Sequence, residues 1–422
     1  MPGAAGVAFG TMSAELELVV RAGHPDFLDL PWSEPLEEWH SDRIVRMARG
    51  VSRHVVRFVA YDDRVYALKE TDAASAAREY RLLLALREQR LPAVEPVGVA
   101  RWRSGGGADA RDEPVRATLI TRYLDYSLPY RYLLARRGRP GLLDRLLDGG
   151  AVLMARLHLE GFYWGDFSLS NALFRRDAGA FVVYLVDAET GELRPSLSDA
   201  LRASDVEVAV ENIAGGLVDL QAAGRIEEGL DALALAESFG ERYRALWLEL
   251  TREDEVGADE QWQIARRMER LHELGFDVEE LALVRSADGE RLRIRPTLVE
   301  EGHHSRALAG RTGLRVQENQ ARRLLNDIAA YGAWLEHLEG TPVPAAEAAF
   351  RWLKEIYEPA IARVPEPLRS RREPPELFHE MLRHRDALSE QAGHQVGNEA
   401  AMDSYVAGVL PGLPDERLLR ED

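Results

Sequence analysis

The stretch Leu157-His158-Leu159-Glu160-Gly161-Phe162-Tyr163-Trp164-Gly165-Asp166-Phe167-Ser168-Leu169-Ser170-Asn171-Ala172-Leu173-Phe174 reads as a helix end, a polar loop and a strand start. Gly161 breaks the apolar run from Leu142 to Leu159, and a β-like pattern begins at Leu173-Phe174. Between them Asp166 and Asn171 stand five positions apart. In most turns such residues are caps or bond their own backbone. The loop therefore decides the fold only together with its flanks.

Upstream, Val55-Val56-Arg57-Phe58-Val59 and Val65-Tyr66-Ala67-Leu68-Lys69 are β-rich runs joined by Tyr61-Asp62-Asp63-Arg64, a turn signal. A helix is expected from Ala73 to Gln89, with Tyr80, Leu83 and Leu84 on its apolar stripe. Two more strands are expected from Val94 to Trp102 and from Ala117 to Tyr123. The intervening Ser104-Gly105-Gly106-Gly107-Ala108-Asp109 is a flexible loop. No Gly-Lys-Ser/Thr follows it, so it is not a phosphate loop. Downstream, Phe181 to Val186 pairs with Leu173-Phe174 as a hairpin and ends at Asp187-Ala188-Glu189. Helices are expected from about Ser204 to Asp254. Strands with one helix, then helices with one hairpin, imply two lobes.

Composition narrows the chemistry. The 422 residues imply two or three domains. With no cysteine, disulfides, thiolate catalysis and Cys-ligated metals are excluded, which fits a reducing cytoplasm. A net charge of −18 argues against a broad nucleic-acid-binding face. No run approaches the roughly 18–20 apolar residues of a membrane span. The first twenty residues lack a basic signal-peptide start and read as a frayed tail. Lys69 and Lys354 are the two lysines among 53 basic residues, the rest being arginine. A lysine kept in such a chain marks either chance or a need for a compact ammonium.

With these flanks in place, the segment from about Arg43 to Leu220 resembles the protein-kinase-like superfamily, in particular its lipopolysaccharide-kinase and aminoglycoside-phosphotransferase-like branches. The carriers are Tyr66-Ala67-Leu68-Lys69, Ala77-Arg78-Glu79-Tyr80, the Asp166–Asn171 spacing and Val186-Asp187-Ala188-Glu189. The resemblance implies an α+β, bilobal fold with a small β-rich N-lobe and a helical C-lobe. It implies transfer of a phosphoryl group from ATP, with Mg²⁺, to a hydroxyl of a sugar, lipid-linked glycan or other small molecule. In it Asp166 would be the catalytic base, and Asn171 and Asp187 the Mg²⁺ ligands, with Glu189 an additional one. Lys69 would meet the phosphates and Glu79 would orient it. Leu119 to Leu124 falls where an adenine-binding hinge is expected, which makes Thr121 and Tyr123 nucleotide-binding candidates. Arg49 to His54 falls where a nucleotide-covering loop is expected, with Ser52 as a candidate contact.

The departures are specific. The covering loop has one glycine where three are usual, Trp164 replaces the loop histidine, and Asp187-Ala188-Glu189 replaces Asp-Phe-Gly. They motivate a competing reading, a pseudokinase that binds nucleotide or a partner without catalysis. Asp205-Val206-Glu207-Val208-Ala209-Val210-Glu211-Asn212 resembles the later helix of such folds, its Asp205 being either a brace for the catalytic-loop backbone or a helix-start acid favoured by the dipole.

The remainder is expected to be a mostly helical domain with one β-hairpin around Asp288-Gly289. It resembles an uncharacterised domain that follows kinase-like lobes in GC-rich bacteria. The boundaries read as 1–40 for an N-terminal extension, 41–125 and 126–255 for the lobes, and 256–422 for this domain. Leu308 to Asn326 mimics a helix-turn-helix, though an αα-hairpin is the better-weighted reading. His379 and His384 are five apart rather than the four a zinc-protease helix needs.

Overall fold

The computed structural model describes residues 16–47, 54–102, 115–134, 141–227, 229–252, 254–256, 266, 278–285, 292–298 and 302–418. The chain forms two compact units. The first runs to Phe174, resumes over Val183–Glu241 and takes in Leu418; the second comprises Arg175–Val182 and Arg242–Arg417.

The first unit begins with a six-stranded antiparallel sheet built from β1 (Leu16–Val20), β2 (Ile44–Val45), β3 (Val56–Tyr61), β4 (Arg64–Asp72), β5 (Glu95–Trp102) and β6 (Arg116–Arg122), in the order β1-β5-β6-β4-β3-β2. The β3–β4 turn has two residues, and Asp62 takes the left-handed conformation (φ 53°) that such turns require and that aspartate tolerates. β4 runs directly into α1 (Ala73–Glu88). Asp72 caps that helix, its carboxylate accepting from the amides of Ala74 and Ser75 at 2.9 and 3.0 Å. One face of the sheet packs on Phe27, Leu36, Trp32 and Trp39. Trp32 meets Trp39 and Trp102 edge-on at 5.0 and 5.5 Å.

The expectation of a frayed start is corrected over Leu16–Val20. All five residues pair with β5, from Leu16 opposite Trp102 to Val20 opposite Gly98. Five residues alternating Leu-Glu-Leu-Val-Val carry too short a period to stand out in sequence, and the tryptophans after them supply the burial that holds them.

Helices dominate the rest of the first unit. The elements are β7 (Ser127–Pro129), α2 (Tyr130–Leu134), α3 (Leu142–Leu159), β8 (Phe162–Tyr163), β9 (Ala172–Asp177), β10 (Ala180–Leu185), β11 (Glu192–Leu193), α4 (Asp199–Ala222) and α5 (Ala232–Thr251), the last continuing into the second unit. Small sheets join β10-β9-β7 and β11-β8. α3 is the buried centre. A Cβ at its Gly150 would lie 2.9 Å from the Phe167 ring and 3.2 Å from Phe239, so glycine lets those two stacked rings close on the helix. α4 starts at Asp199 rather than near Ser204, because Ser198 caps it by accepting from the Leu201 amide. This is the expected α+β, two-lobed arrangement.

In the second unit, helices at His303–Thr312, Glu318–Glu339, Ala345–Trp352, Pro374–Ala392 and Asn398–Gly408 enclose a core containing Leu308, Leu324, Trp352, Phe378 and Tyr405. Where one hairpin was expected there are three strands: Asp254–Val256 pairs with Leu292–Leu298, which also pairs with Val278–Arg285. Arg175–Val182, the tip of the β9–β10 hairpin, belongs to this unit. Its Asp177 is buried and accepts from the amides of Asn319 and Gln320 at 3.1 and 2.7 Å, capping the helix Glu318–Glu339 from outside. Gln320 is itself buried and donates to the Arg176 carbonyl and Glu376. A helix that reads DNA exposes this end, so the packing favours the αα-hairpin reading.

No helix among the described residues is long and apolar enough to cross a membrane. The Asp288-Gly289 turn, the loop 104–109 and the covering loop through Ser52 and Arg53 lie outside the described residues.

Candidate functional site

Lys69 sits on β4 in the middle of the sheet, opposite Val56 of β3 and Leu119 of β6. Its counterpart Glu79 lies on the buried stripe of α1 with Ala76, Leu83 and Leu86. A carboxylate in that stripe needs a partner, because burying an unpaired charge is costly. Lys69 Nζ supplies one, donating to Glu79 Oε2 at 3.0 Å, to Asp187 Oδ2 at 2.7 Å and to Glu189 Oε2 at 3.4 Å. Burial works against the ammonium, yet Glu79 and Asp187 outweigh it and raise its pKa above the ordinary lysine value. One ammonium does not satisfy both carboxylates equally. Burial and the charge of Asp187 push Glu79 up to about 7. Burial also opposes the Asp187 charge, but Lys69 overrides it and holds that carboxyl below its usual range.

The loop carrying Asp166 is braced from below. Asp205, fully buried on α4, accepts from the amides of Trp164 (2.7 Å) and Gly165 (2.8 Å) and from His158 Nε2 (3.0 Å). Of the two readings of Asp205, the brace is the one the structure has. Gly165 takes φ 74°, and a Cβ there would meet the Tyr163 ring at 2.8 Å. Trp164, which replaces the usual loop histidine, donates its indole N–H to the Asp187 carbonyl at 2.8 Å and accepts at its own carbonyl from the Thr190 hydroxyl. The loop and the Asp187 segment are thereby tied twice.

Asn171 ends a short 3₁₀ turn, Leu169–Asn171, capped by Ser168. Its carbonyl accepts from the Val186 amide at 3.0 Å, which sets Asn171 beside the segment entering Asp187. Its side-chain Nδ2 donates to the Asp166 carbonyl at 2.9 Å and to Asp166 Oδ2 at 3.0 Å. Both partners are pure acceptors, so the amide orientation follows from chemistry, with the NH₂ turned to Asp166. Glu189 is held at its carboxylate by His54 Nε2 at 2.9 Å, and the carbonyls of Glu189 and Gly191 accept from Arg78. Glu79, Asp187 and Glu189 each place an oxygen within 4.8 Å of the others. All three also accept from Lys69 Nζ, and oxygen donors of this kind are the ones that suit a hard divalent cation such as Mg²⁺.

Most of these groups line a cleft of about 320 Å³. Lys69, Glu79, Asp166, Asn171 and Asp187 line it together with the apolar Val56, Ala67, Leu119, Leu173 and Val186. Thr121 and Tyr123 line the same cleft. The Tyr123 amide, however, already donates to the Val65 carbonyl as part of the sheet. Ser52 is outside the described residues.

Two contributors escaped sequence reading. Asn212 donates from α4 to Asp166 Oδ1 (3.2 Å) and to the Phe167 carbonyl (3.0 Å). The available signal was its spacing of seven from Asp205, which puts both on one helix face. His54 carried no signal, since only the fold brings it to Glu189, 135 positions away.

The model of the Lipopolysaccharide kinase (Kdo/WaaP) family matches residues 59–207, and that of a Domain of unknown function (DUF4032) matches residues 245–410. A 3-deoxy-D-manno-octulosonic acid kinase from Stenotrophomonas maltophilia (strain K279a) is 28% identical over 152 residues, 34% of this chain and 54% of the relative. The chain thus spans about half the length of that curated relative. A solved structure of WaaP in complex with acyl carrier protein is 16% identical, covering 55% of this chain and 88% of that one, with a TM-score of 0.33. Residues 59–207 are thus similar to the lipopolysaccharide kinase (Kdo/WaaP) family, and residues 245–410 to a domain family whose function is unknown.

Proposed function

We propose that the first unit is a phosphotransferase that moves the γ-phosphoryl group of ATP to a hydroxyl of a sugar, lipid-linked glycan or other small molecule. The observation that carries this reading is that Lys69, Glu79, Asp166, Asn171 and Asp187 all line a single cleft. Phosphoryl transfer depends on positioning and charge more than on covalent chemistry, and each group has a task of that kind. The apolar walls suit a flat nucleobase. Lys69, held charged by Glu79 and Asp187, is placed for the phosphates. Asp166 accepts the proton of the incoming hydroxyl. Asp187 and Asn171, with Glu189, would hold Mg²⁺, which would supply charge stabilisation to the transferred group.

The named relative makes 3-deoxy-D-manno-octulosonic acid the first acceptor to try. The test is incubation of purified protein with Mg·ATP and a panel of hydroxyl acceptors, the phosphorylated product being read by mass spectrometry. Asp166→Ala is expected to slow transfer by about 10²–10⁴-fold. Transfer that survives undiminished in Asp166→Ala removes that residue from the chemistry. Tight nucleotide binding with no transfer to any acceptor supports the pseudokinase reading instead.

A further inference from the structure

We infer that Asn212 is a positioning residue for Asp166, fixing the plane of its carboxylate from a second element. The inference rests on the reading of Asp166 as the group that faces the acceptor hydroxyl. Asp166 Oδ2 is held by Asn171 Nδ2 at 3.0 Å, and Oδ1 by Asn212 Nδ2 at 3.2 Å. Asn212 Nδ2 also donates to the Phe167 carbonyl at 3.0 Å. A carboxylate and a carbonyl only accept, so Asn212 can satisfy both only with its NH₂ turned toward the loop.

The arrangement matters because an aspartate side chain rotates about two bonds. One donor on one oxygen leaves the carboxylate free to pivot about that contact. Two donors on different oxygens, from different elements, remove the pivot. Asn171 belongs to the short turn that follows Asp166, so it moves with the loop. Asn212 belongs to α4, a 24-residue helix. Seven positions before it on the same face, Asp205 holds the amides of Trp164 and Gly165. One helix face therefore grips the loop backbone before Asp166, the backbone after it and the carboxylate itself. A proton acceptor must sit within a few tenths of an ångström of its productive place, and misplacement by about 1 Å costs up to about a hundredfold in rate.

A purely structural role would tie α4 to the loop through the Phe167 carbonyl and leave the carboxylate unaffected. Three variants separate the two. Asn212→Ala removes the donor, Asn212→Asp keeps the size but sets an acceptor against an acceptor, and Asn212→Gln keeps a donor on a longer arm. Crystal structures of the Ala and Asp variants are expected to show the Asp166 carboxylate rotated while the backbone from Trp164 to Asn171 stays in place. In the transfer assay kcat is expected to fall about ten- to a hundredfold in Asn212→Ala, and further in Asn212→Asp. KM for ATP should stay within about threefold, and Asn212→Gln should recover part of kcat. An Asp166 carboxylate unmoved in both crystal structures overturns the inference, as does a kcat loss in Asn212→Gln equal to that in Asn212→Ala. Should the wild-type protein transfer phosphate to no acceptor, the proposed function fails, and the crystallographic comparison alone decides the role of Asn212.

Discussion

Lys69 on the central strand and Asp187 after β10 form a direct ion pair at 2.7 Å, although 118 positions separate them in sequence. The pair leaves Glu79, the fully buried third member, with a share of one ammonium.

Replacing Lys69 with methionine is expected to destabilise the protein, because Glu79 then has no counter-charge. Breaking a buried pair in this way costs about 3 kcal/mol. The loss depends on pH with a definite sign. The folded pKa of Glu79, already about 7 with the lysine present, lies above its unfolded value. The folded state therefore takes up a proton as pH falls, and stability drops as pH rises through that window. Without Lys69 the folded pKa rises further. Urea unfolding should show a larger penalty for the variant at pH 8 than at pH 5.5; an equal penalty at both would show that Glu79 does not carry it.

Asp205→Ala is expected to cost about 3 kcal/mol, since the amides of Trp164 and Gly165 and the ring of buried His158 lose their acceptor together. Asp205→Asn should cost less, because one side-chain oxygen remains to accept. Thermal and urea unfolding of the two variants supply the comparison. Equal stability of Asp205→Ala and wild type would mean that the loop is not braced from α4.

Asp187→Asn is expected to abolish the gain in nucleotide affinity on adding Mg²⁺, because a neutral amide attracts the cation less than a carboxylate does. Isothermal titration with ATP, with and without Mg²⁺, measures this directly. An unchanged Mg²⁺ effect in the variant would place the cation elsewhere.

Glu376→Gln is expected to stabilise the second unit by about 1–3 kcal/mol at pH 8 and to change little at pH 5. Glu376 is buried, and burial is the main cause that raises its pKa to about 7. It accepts from the Ala178 amide and from Gln320 on one and the same oxygen. A glutamine oxygen keeps both bonds and removes the buried charge. The raised pKa means that wild-type stability declines as pH rises from the ordinary glutamate value through about 7, so the two proteins should diverge over that interval. Parallel melting curves from pH 5 to 8 would contradict this.

Much of the first unit was legible because its elements carry strong local signals. Val56 to Lys69 alternates around a two-residue turn, and Leu142 to Leu159 is apolar enough to be a central helix. Lys69 stood out through the near absence of other lysines. The residues that complete the site did not stand out, because their partners are distant. Asn212 is an ordinary polar helix residue until α4 is laid under the loop, and His54 acquires meaning only from Glu189. Leu16–Val20 was misread for a related reason. Five residues at a sheet edge are fixed by their partner strand rather than by their own pattern.

The two units also constrain how the molecule is made. Leu418 packs with Met47, Val65 and Tyr123 in the first unit, although the intervening Arg242–Arg417 belongs to the second. A ribosome adding about 5–20 residues per second finishes the sheet long before it releases Leu418. The nascent first unit thus waits, with that small apolar cluster open beside a cleft-lining tyrosine, until the second unit's sequence has been synthesised. Shortening the chain at its C-terminal end is in that sense an edit to the first unit as well.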